Sequence, residues 1–319
     1  MSTPVPHFTA PGRPLTWLIT GCSSGIGLAL ARHVLANGHR LIATSRNPAK
    51  TPELVREVTS YGDGSHRWVA LDADNPDAGT VVSQLGVAID VLVNNAGHAV
   101  LQTVEHAREA DARALMETMF FGPLRLVQAV LPTMRRQRFG VVVYVSSGAG
   151  LEARPSMALY GAAKAAGDAL TKTLAKEVAP FNVRALYVSL GSFQTNMPNA
   201  TEVRSSAPAT LQDRPASTDD DYANSVARQI MGHMASGGQA ASAQGDPAKA
   251  ARAIFEVATA TGVGRGHEAE VLFPLGADAA VRVEEVRDTL AHALDVFGTV
   301  SNHVGVDDEW PGDKHAVTN

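Results

Sequence analysis

Short apolar runs alternate with longer segments of helical periodicity from residue 15 to about residue 190. The runs, taken as candidate strands, are Leu15–Thr20, Arg40–Ser45, Arg67–Leu71, Val91–Asn94, Val141–Ser146 and Val183–Ser189. Most are apolar at successive positions, and neighbouring side chains of a strand point to opposite faces, so both faces are expected to be buried. The pattern predicts an α/β fold with a Rossmann-like, doubly wound parallel sheet covered by helices on both faces.

Helices are predicted where the periodic segments carry clear start or stop signals. Ile26–Asn37 ends before Gly38, and Leu159–Val178 ends close to Pro180. Asp246 followed by a proline is typical of a helix start. Glu270–Phe273 is a candidate for a last strand, and a terminal helix is expected after it.

One domain is predicted over residues 15–300, since no internal repeat or long low-complexity tract divides the chain. Residues 200–245 are rich in Ser, Ala, Asp and Gln with weak periodicity, and we interpret them as an inserted substrate lid. Residues 1–14 contain four prolines and are expected to form a flexible tail. Residues 301–319 are expected to form a C-terminal tail.

Composition narrows the classes of partner. The 319 residues carry a net charge of -5 spread along the chain, so no basic surface for nucleic acid is expected. No uncharged apolar stretch reaches 18 residues and no secretion signal opens the chain, which argues against a membrane span and favours a cytoplasmic location. A single cysteine excludes an intramolecular disulfide, and the eleven histidines form no metal-binding pattern. A small-molecule partner is expected.

Three glycines lie between the first strand and the first helix, at Gly21, Gly25 and Gly27. Glycine lets the backbone approach a phosphate closely, and the helix start offers free amide donors. Any tight turn between a strand and a helix also favours glycine, but this strand-to-helix context favours a phosphate site.

The Gly-x-x-x-Gly-x-Gly spacing of residues 21–27, Asn-Asn-Ala-Gly at 94–97 and Tyr-x-x-x-Lys at 160–164 resemble the signatures of the short-chain dehydrogenase/reductase family. The resemblance covers roughly residues 15–195. The local sequence at residues 191–196 is similar to the hydroxysteroid and retinol dehydrogenase-like branch of the family. It implies a homodimer or homotetramer and a nicotinamide cofactor. The cofactor contacts that it implies are Gly21, Ser23, Ser24, Gly25, Ile26, Gly27, Asp72, Asn94, Ala96, Gly97, Tyr160, Lys164, Phe193 and Thr195.

The end of the second strand predicts which cofactor is bound. An acidic residue there would bind a ribose 2′-hydroxyl, whereas a basic residue accepts a 2′-phosphate. The strand ends in Ser45 and Arg46 without a carboxylate, so we expect NADP(H), with the guanidinium pairing to the phosphate and the hydroxyl adding a hydrogen bond. The alternative is that Arg46 is a solvated loop residue.

Tyr160 and Lys164 lie four residues apart on a predicted helix, so both can reach one ligand. The lysine charge would favour the phenolate of Tyr160, which makes the tyrosine a candidate acid and base for a substrate oxygen. Ser147, thirteen residues before Tyr160, matches the serine that orients the substrate oxygen in the family. The three residues are the predicted catalytic set.

Two positions depart from the family pattern. Met119 occupies the place of an asparagine that joins a proton relay, and a thioether donates no hydrogen bond. Leu190 stands before Gly191 where the family has proline. The sequence predicts an NADP-dependent oxidoreductase. It would transfer hydride from NADPH to a ketone or aldehyde, or from an alcohol in the reverse direction, and its substrate is expected to be apolar or a secondary metabolite. The departures keep open a non-redox NADP-binding protein, either a sensor or a scaffold for another reaction.

Overall fold

Apolar strands buried on both faces form the centre of the molecule in the computed structural model, which describes residues 8–204, 222–236, 238 and 243–306. The central sheet has seven parallel strands in the order β3-β2-β1-β4-β6-β7-β9. They are β1 (Thr16–Ile19), β2 (Arg40–Ser45), β3 (Arg67–Ala70), β4 (Val91–Asn94), β6 (Gly140–Val145), β7 (Val183–Leu190) and β9 (Leu272–Leu275). The predicted parallel, Rossmann-like sheet in a single domain is confirmed.

Helices cover both faces of this sheet. They are α1 (Gly25–Ala36), α2 (Pro52–Thr59), α3 (Ala78–Ser83), α4 (Glu109–Met116), α5 (Gly122–Gln137), α6 (Ala158–Val178), α7 (Val226–Ala235), α8 (Pro247–Thr259) and α9 (Ala277–Ser301). One core layer packs α1 and α8 against the sheet, and a second packs α3, α5 and α6 against the other face. The layers hold the carboxyl ends of the strands together at one edge, where ligands bind in such folds.

A second, two-stranded parallel sheet pairs β5 (Ala99–Leu101) with β8 (Thr201–Val203). The sequence analysis did not predict it, because both strands are short and their pairing is long-range. β8 and α7 belong to the segment interpreted as a lid. Residues 205–221, 237 and 239–242 of that segment lie outside the described residues.

The described part of the predicted N-terminal tail contacts the domain. The rings of Phe8 and Phe139 lie 5.6 Å apart, and the backbone N–H of Thr9 donates to the side-chain oxygen of Asn182 over 2.9 Å. Arg13 forms an ion pair of 2.7 Å with the buried Asp90. Residues 8–14 are therefore tied to the domain at three points. Of the predicted C-terminal tail, residues 307–319 lie outside the described residues.

One helical stretch, Glu109–Gln137, has the length and the mean hydropathy of 1.2 that a membrane-spanning helix needs. It comprises α4, a π-helical turn at Glu117–Phe121 and α5. Leu126, Val127 and Met134 of α5 are buried in the core between the helices and the sheet. The apolar character of this stretch is therefore explained, at these positions, by packing inside the domain.

Candidate active site

The carboxyl ends of the central strands open into a cavity of about 420 Å³. Most predicted site residues line it, namely Gly21, Ser23, Ser24, Gly25, Ile26, Ser45, Arg46, Asp72, Ala96, Gly97, Ser147, Tyr160, Lys164, Phe193 and Thr195. Two predicted contacts do not line the cavity. Gly27 lies behind the loop that follows β1, and Asn94 is buried at the end of β4 while its neighbour Asn95 lines the cavity.

The loop between β1 and α1 requires glycine for two physical reasons. Gly21 and Gly25 have φ angles of 73° and 58°, in the left-handed region that disfavours other residues. A Cβ at Gly27 would lie 2.5 Å from the side-chain nitrogen of Asn95. That nitrogen donates to the carbonyl oxygen of Thr20 over 2.8 Å. Asn95 thus holds the loop against the end of β4, a role that the sequence analysis did not assign.

This cradle fits the phosphates of a dinucleotide cofactor. Gly25 and Ile26, at the start of α1, line the cavity, and Ser24 before them makes no side-chain cap to the helix. The first amides of α1 are therefore open to an anionic group, and the helix dipole favours negative charge at this end. A side chain added at Gly27 would push Asn95 out of place.

The end of β2 presents a basic group to the same cavity. Arg46 is exposed and, within the described part of the chain, its guanidinium forms no ion pair. The hydroxyl of Ser45 accepts a hydrogen bond of 3.0 Å from the indole N–H of Trp68 and keeps its own proton to donate. Asp72 also lines the cavity, after β3. These residues could hold an adenosine with a phosphate on its ribose.

The predicted catalytic residues converge. Tyr160 and Lys164 lie on one face of α6 and are 8% and 4% exposed. The lysine ammonium donates to the carbonyl oxygen of Val145 over 2.7 Å and lies 5.9 Å from the centre of the Tyr160 ring. Ser147 is the second residue after β6, and its hydroxyl accepts from the backbone N–H of Ala149 over 3.2 Å. All three side chains border the same cavity.

Burial sets the proton affinities of these groups. Burial raises the pKa of Tyr160, while the nearby Ser147 hydroxyl opposes that rise. Burial also lowers the pKa of Lys164 to about 8, and the carboxylate of Asp168 acts in the opposite direction. The ammonium is therefore charged at neutral pH but close to titration. Of the charged groups nearby, the Asp168 carboxylate raises the pKa of Tyr160 further and the Arg282 guanidinium lowers it.

Met119 lies inside the π-helical turn and is completely buried. A Cβ built on Gly97 would lie 3.4 Å from its sulfur and 3.5 Å from the Lys164 ammonium, so both atoms flank the same small volume. The backbone carbonyl oxygen of Met119 accepts a hydrogen bond of 2.8 Å from the hydroxyl of Tyr144. The sulfur thus stands beside Lys164 without offering a hydrogen bond of amide strength.

Helix α9 contributes a residue that the sequence analysis missed. Arg282 lines the cavity and forms ion pairs with Glu152 at 3.1 Å and Asp278 at 2.8 Å. The backbone N–H of Ser192 donates a bifurcated hydrogen bond to the two carboxylate oxygens of Asp278, at 3.1 and 3.0 Å. The loop after β6 and the loop after β7 are thus joined through α9. These residues lie far apart along the chain, and no local motif signals their contact.

The second departure from the family pattern lies at this junction. Leu190 ends β7 and lines the cavity, and the N–H of Gly191 donates to the carbonyl oxygen of Leu275 over 2.9 Å. A Cβ at Gly191 would collide with the carboxylate of Asp278. The β7–β9 pairing and the start of α9 therefore fix this loop in the absence of the usual proline.

No cluster of three or more His, Cys, Asp or Glu side chains suited to a metal ion occurs among the described residues. The cavity instead joins a phosphate-binding turn to a tyrosine, lysine and serine at strand ends. This combination, in this fold, defines an oxidoreductase site that works with a nicotinamide cofactor.

Comparison with known proteins gives the same result. Residues 16–205 match the family described as short chain dehydrogenase. The chain is 37% identical over 188 residues to Oxidoreductase claN of Passalora fulva, covering 58% of this chain and 85% of that protein. It is 35% identical over 190 residues to Retinol dehydrogenase 8 of Bos taurus, covering 57% of this chain and 60% of that protein.

A short-chain dehydrogenase from Streptomyces avermitilis has a similar solved structure, with a TM-score of 0.76 and 31% sequence identity. The match covers 92% of this chain and 100% of that one. The chain belongs to the short-chain dehydrogenase/reductase family and to its hydroxysteroid and retinol dehydrogenase-like branch.

Proposed function

We propose that this protein is an NADP(H)-dependent oxidoreductase that reduces a ketone or aldehyde, or oxidises the corresponding alcohol, on an apolar substrate. The observation that carries the proposal is the convergence of Ser147, Tyr160 and Lys164 on the cavity that Arg46 and the glycine loop also border. When bound, NADP(H) supplies or accepts the hydride. The protein supplies position and protons.

Each residue has a distinct task in this reaction. The Ser147 hydroxyl orients and polarises the substrate oxygen by a hydrogen bond. Tyr160 donates its proton to that oxygen during reduction and takes it back during oxidation. Lys164, held by the carbonyl oxygen of Val145, keeps its charge beside the phenol and so lowers the free energy of the phenolate.

The wall of the cavity supports an apolar substrate. The apolar side chains that line it include Met157, Met197, Met234, Leu190 and Phe193. Methionine side chains adapt to irregular apolar shapes, which suits lipid-like or secondary-metabolite substrates. The similarity to a retinol dehydrogenase supports the same substrate class. We also propose that residues 200–245 act as a lid over this wall.

The test is NADPH oxidation, followed by absorbance, over a panel of aldehydes, ketones and steroid-like carbonyl compounds. We expect turnover by the wild-type protein and a loss of at least about 100-fold in Tyr160→Phe, because general acid catalysis contributes about that much. Cofactor binding by the variant, measured by fluorescence, is expected to be unchanged. Equal turnover by both proteins would contradict the proposed role of Tyr160.

The second candidate function is non-redox binding of NADP(H), as a sensor or a scaffold for another reaction. Met119 favours it, since its sulfur stands beside Lys164 where the family has a relay amide. Tight NADPH binding without turnover of any carbonyl compound or alcohol would support this alternative. Tyr160-dependent turnover would exclude it.

We further propose a cytoplasmic homodimer or homotetramer. The exposed far part of α9 carries Leu290, Leu294 and Phe297, which lie three to four residues apart and therefore on one face of the helix. An exposed apolar face of this kind is typical of a contact between subunits. Light scattering coupled to size-exclusion chromatography is expected to give two or four times the 33.5 kDa chain mass. A monomer at micromolar concentration would contradict the proposal.

A further inference from the structure

Asp168 is a buried acid that the proposed reaction does not use. It lies on α6, four residues after Lys164, and its residue surface is only 1% exposed. Within the described part of the chain, neither of its carboxylate oxygens has a hydrogen-bond partner of good geometry, although the Ser146 hydroxyl lies near enough to lower the pKa of Asp168. A buried carboxyl without a hydrogen-bond partner is costly, so its retention requires a reason.

The position of the carboxylate points to Lys164. A Cβ at Gly150 would lie 2.9 Å from an oxygen of Asp168 and 3.1 Å from the Cβ of Lys164, so the two side chains leave α6 on the same side. Their charged ends form no direct ion pair. The ammonium of Lys164 has the carbonyl oxygen of Val145 as its hydrogen-bond acceptor. The Met119 sulfur, which borders the same small volume beside Gly97, adds no charge. Asp168 is the buried carboxylate on this side of α6, and its charge raises the pKa of Lys164 against the effect of burial.

The other charged or titratable groups that interact with the carboxylate come from three elements: Tyr160, Lys164 and Lys172 on α6, Tyr144 on β6 and Tyr187 on β7. Lys172 lies over the Tyr187 ring, 5.3 Å from its centre, and is exposed at the surface. Lys164 is the buried cation of this group. The tyrosines carry no charge near neutral pH.

We propose that Asp168 is a positioning residue whose buried carboxylate keeps the Lys164 ammonium charged beside Tyr160. In a site that lacks the relay amide at residue 119, this carboxylate supplies the electrostatic support that polar neighbours of the lysine would otherwise give. Its consequence for hydride transfer rests on the proposed function. Its effect on Lys164 does not, and it can be measured without cofactor or substrate.

The measurement is the pKa of Lys164 in cofactor-free protein labelled with ¹³C at the lysine ε carbon. The chain has six lysines, so the spectrum is simple, and Lys164→Arg assigns the signal. We expect Asp168→Asn to lower the pKa of Lys164 by about one unit or more, which is typical of removing a nearby opposite charge. Asp168→Glu keeps the carboxylate and is expected to restore most of the wild-type value.

The matched control is Glu177→Gln, which removes an exposed carboxylate from the same helix and is expected to leave the pKa of Lys164 unchanged. An unchanged value in Asp168→Asn would overturn the proposal, because Asp168 would then be neutral or too distant to matter. The carbonyl panel is run on the same proteins. A shifted lysine pKa without turnover in any of them would support the role of Asp168 and count against the reductase function, whereas turnover without a shift would do the reverse.

Discussion

At the scale of a single residue, the proposed preference for NADP(H) rests on Arg46. Its guanidinium borders the cavity beyond β2, and no carboxylate of the described chain pairs with it. Hydrogen bonds to a charged group contribute about 1.5 to 3 kcal/mol, which corresponds to roughly 10- to 100-fold in affinity. Arg46→Ala is expected to weaken NADPH binding by that factor and to leave NADH binding unchanged, as measured by fluorescence titration.

Arg40→Ala is the matched control, since Arg40 is an exposed arginine at the opposite end of β2 and does not border the cavity. This variant is expected to bind both cofactors as the wild type does. If Arg46→Ala weakened the binding of NADPH and NADH equally, the arginine would contact a part of the molecule that both cofactors have in common. The 2′-phosphate would then need a different partner.

Helix α9 illustrates how an element far along the chain stabilises the site. The side chain of Arg282 is 9% exposed and lies between the carboxylates of Glu152 and Asp278. Removing one member of a mostly buried ion pair leaves the other charges uncompensated and typically costs about 2 to 3 kcal/mol or more. Arg282→Ala is therefore expected to lower the free energy of unfolding by about that amount, measured by urea denaturation.

Arg287→Ala is the control on the same helix, because the side chain of Arg287 is 69% exposed and pairs with the equally exposed Asp288. Exposed pairs contribute little, so a change below about 0.5 kcal/mol is expected. Similar destabilisation by both substitutions would show that α9 needs its arginines for reasons other than the contact with the active-site loops.

The elements that could be predicted from the sequence are those whose structure is determined by residues close together along the chain. The inner strands of the central sheet, from β2 to β7, could be predicted because burial on both faces demands continuous apolar runs. Helices α1 and α6 could be predicted from their periodicity and end signals. The β5–β8 pair and the contacts of Arg282 depend on residues distant in sequence, which no local pattern encodes. The π-helical turn at Glu117–Phe121 is also without a local signal.

The candidate site divides in the same way. Gly21, Tyr160 and Lys164 belong to motifs of fixed spacing, so the sequence was sufficient to predict that they border one cavity. Asp168 follows Lys164 at helical spacing and was detectable in principle, but its role depends on burial among side chains of β6 and β7. Asn95 was quoted within a motif, yet its bond to the loop after β1 becomes evident only from the geometry.

At the scale of the whole molecule, the buried Asp168 links the free energy of unfolding to pH. Burial raises its pKa from 3.8 to about 6. Because the folded protein binds this proton more tightly than the unfolded chain does, the associated stability is fully present below about pH 4. It is lost as the pH rises through 6. The loss between pH 4 and 6.5 corresponds to about 2 kcal/mol.

Asp168→Asn removes this dependence, since an amide does not titrate. The unfolding free energy of the wild type minus that of the variant is therefore expected to fall by about 2 kcal/mol from pH 4 to 6.5. Groups that titrate alike in both proteins cancel in this difference. Burial lowers the pKa of Lys164 to about 8, and a further drop of about one unit in the variant changes the difference by only about 0.2 kcal/mol up to pH 6.5. Urea denaturation at half-unit pH steps gives the curve. A constant difference would mean that Asp168 keeps an ordinary pKa in the folded protein. Ionising its carboxylate beside Lys164 would then cost no folding free energy.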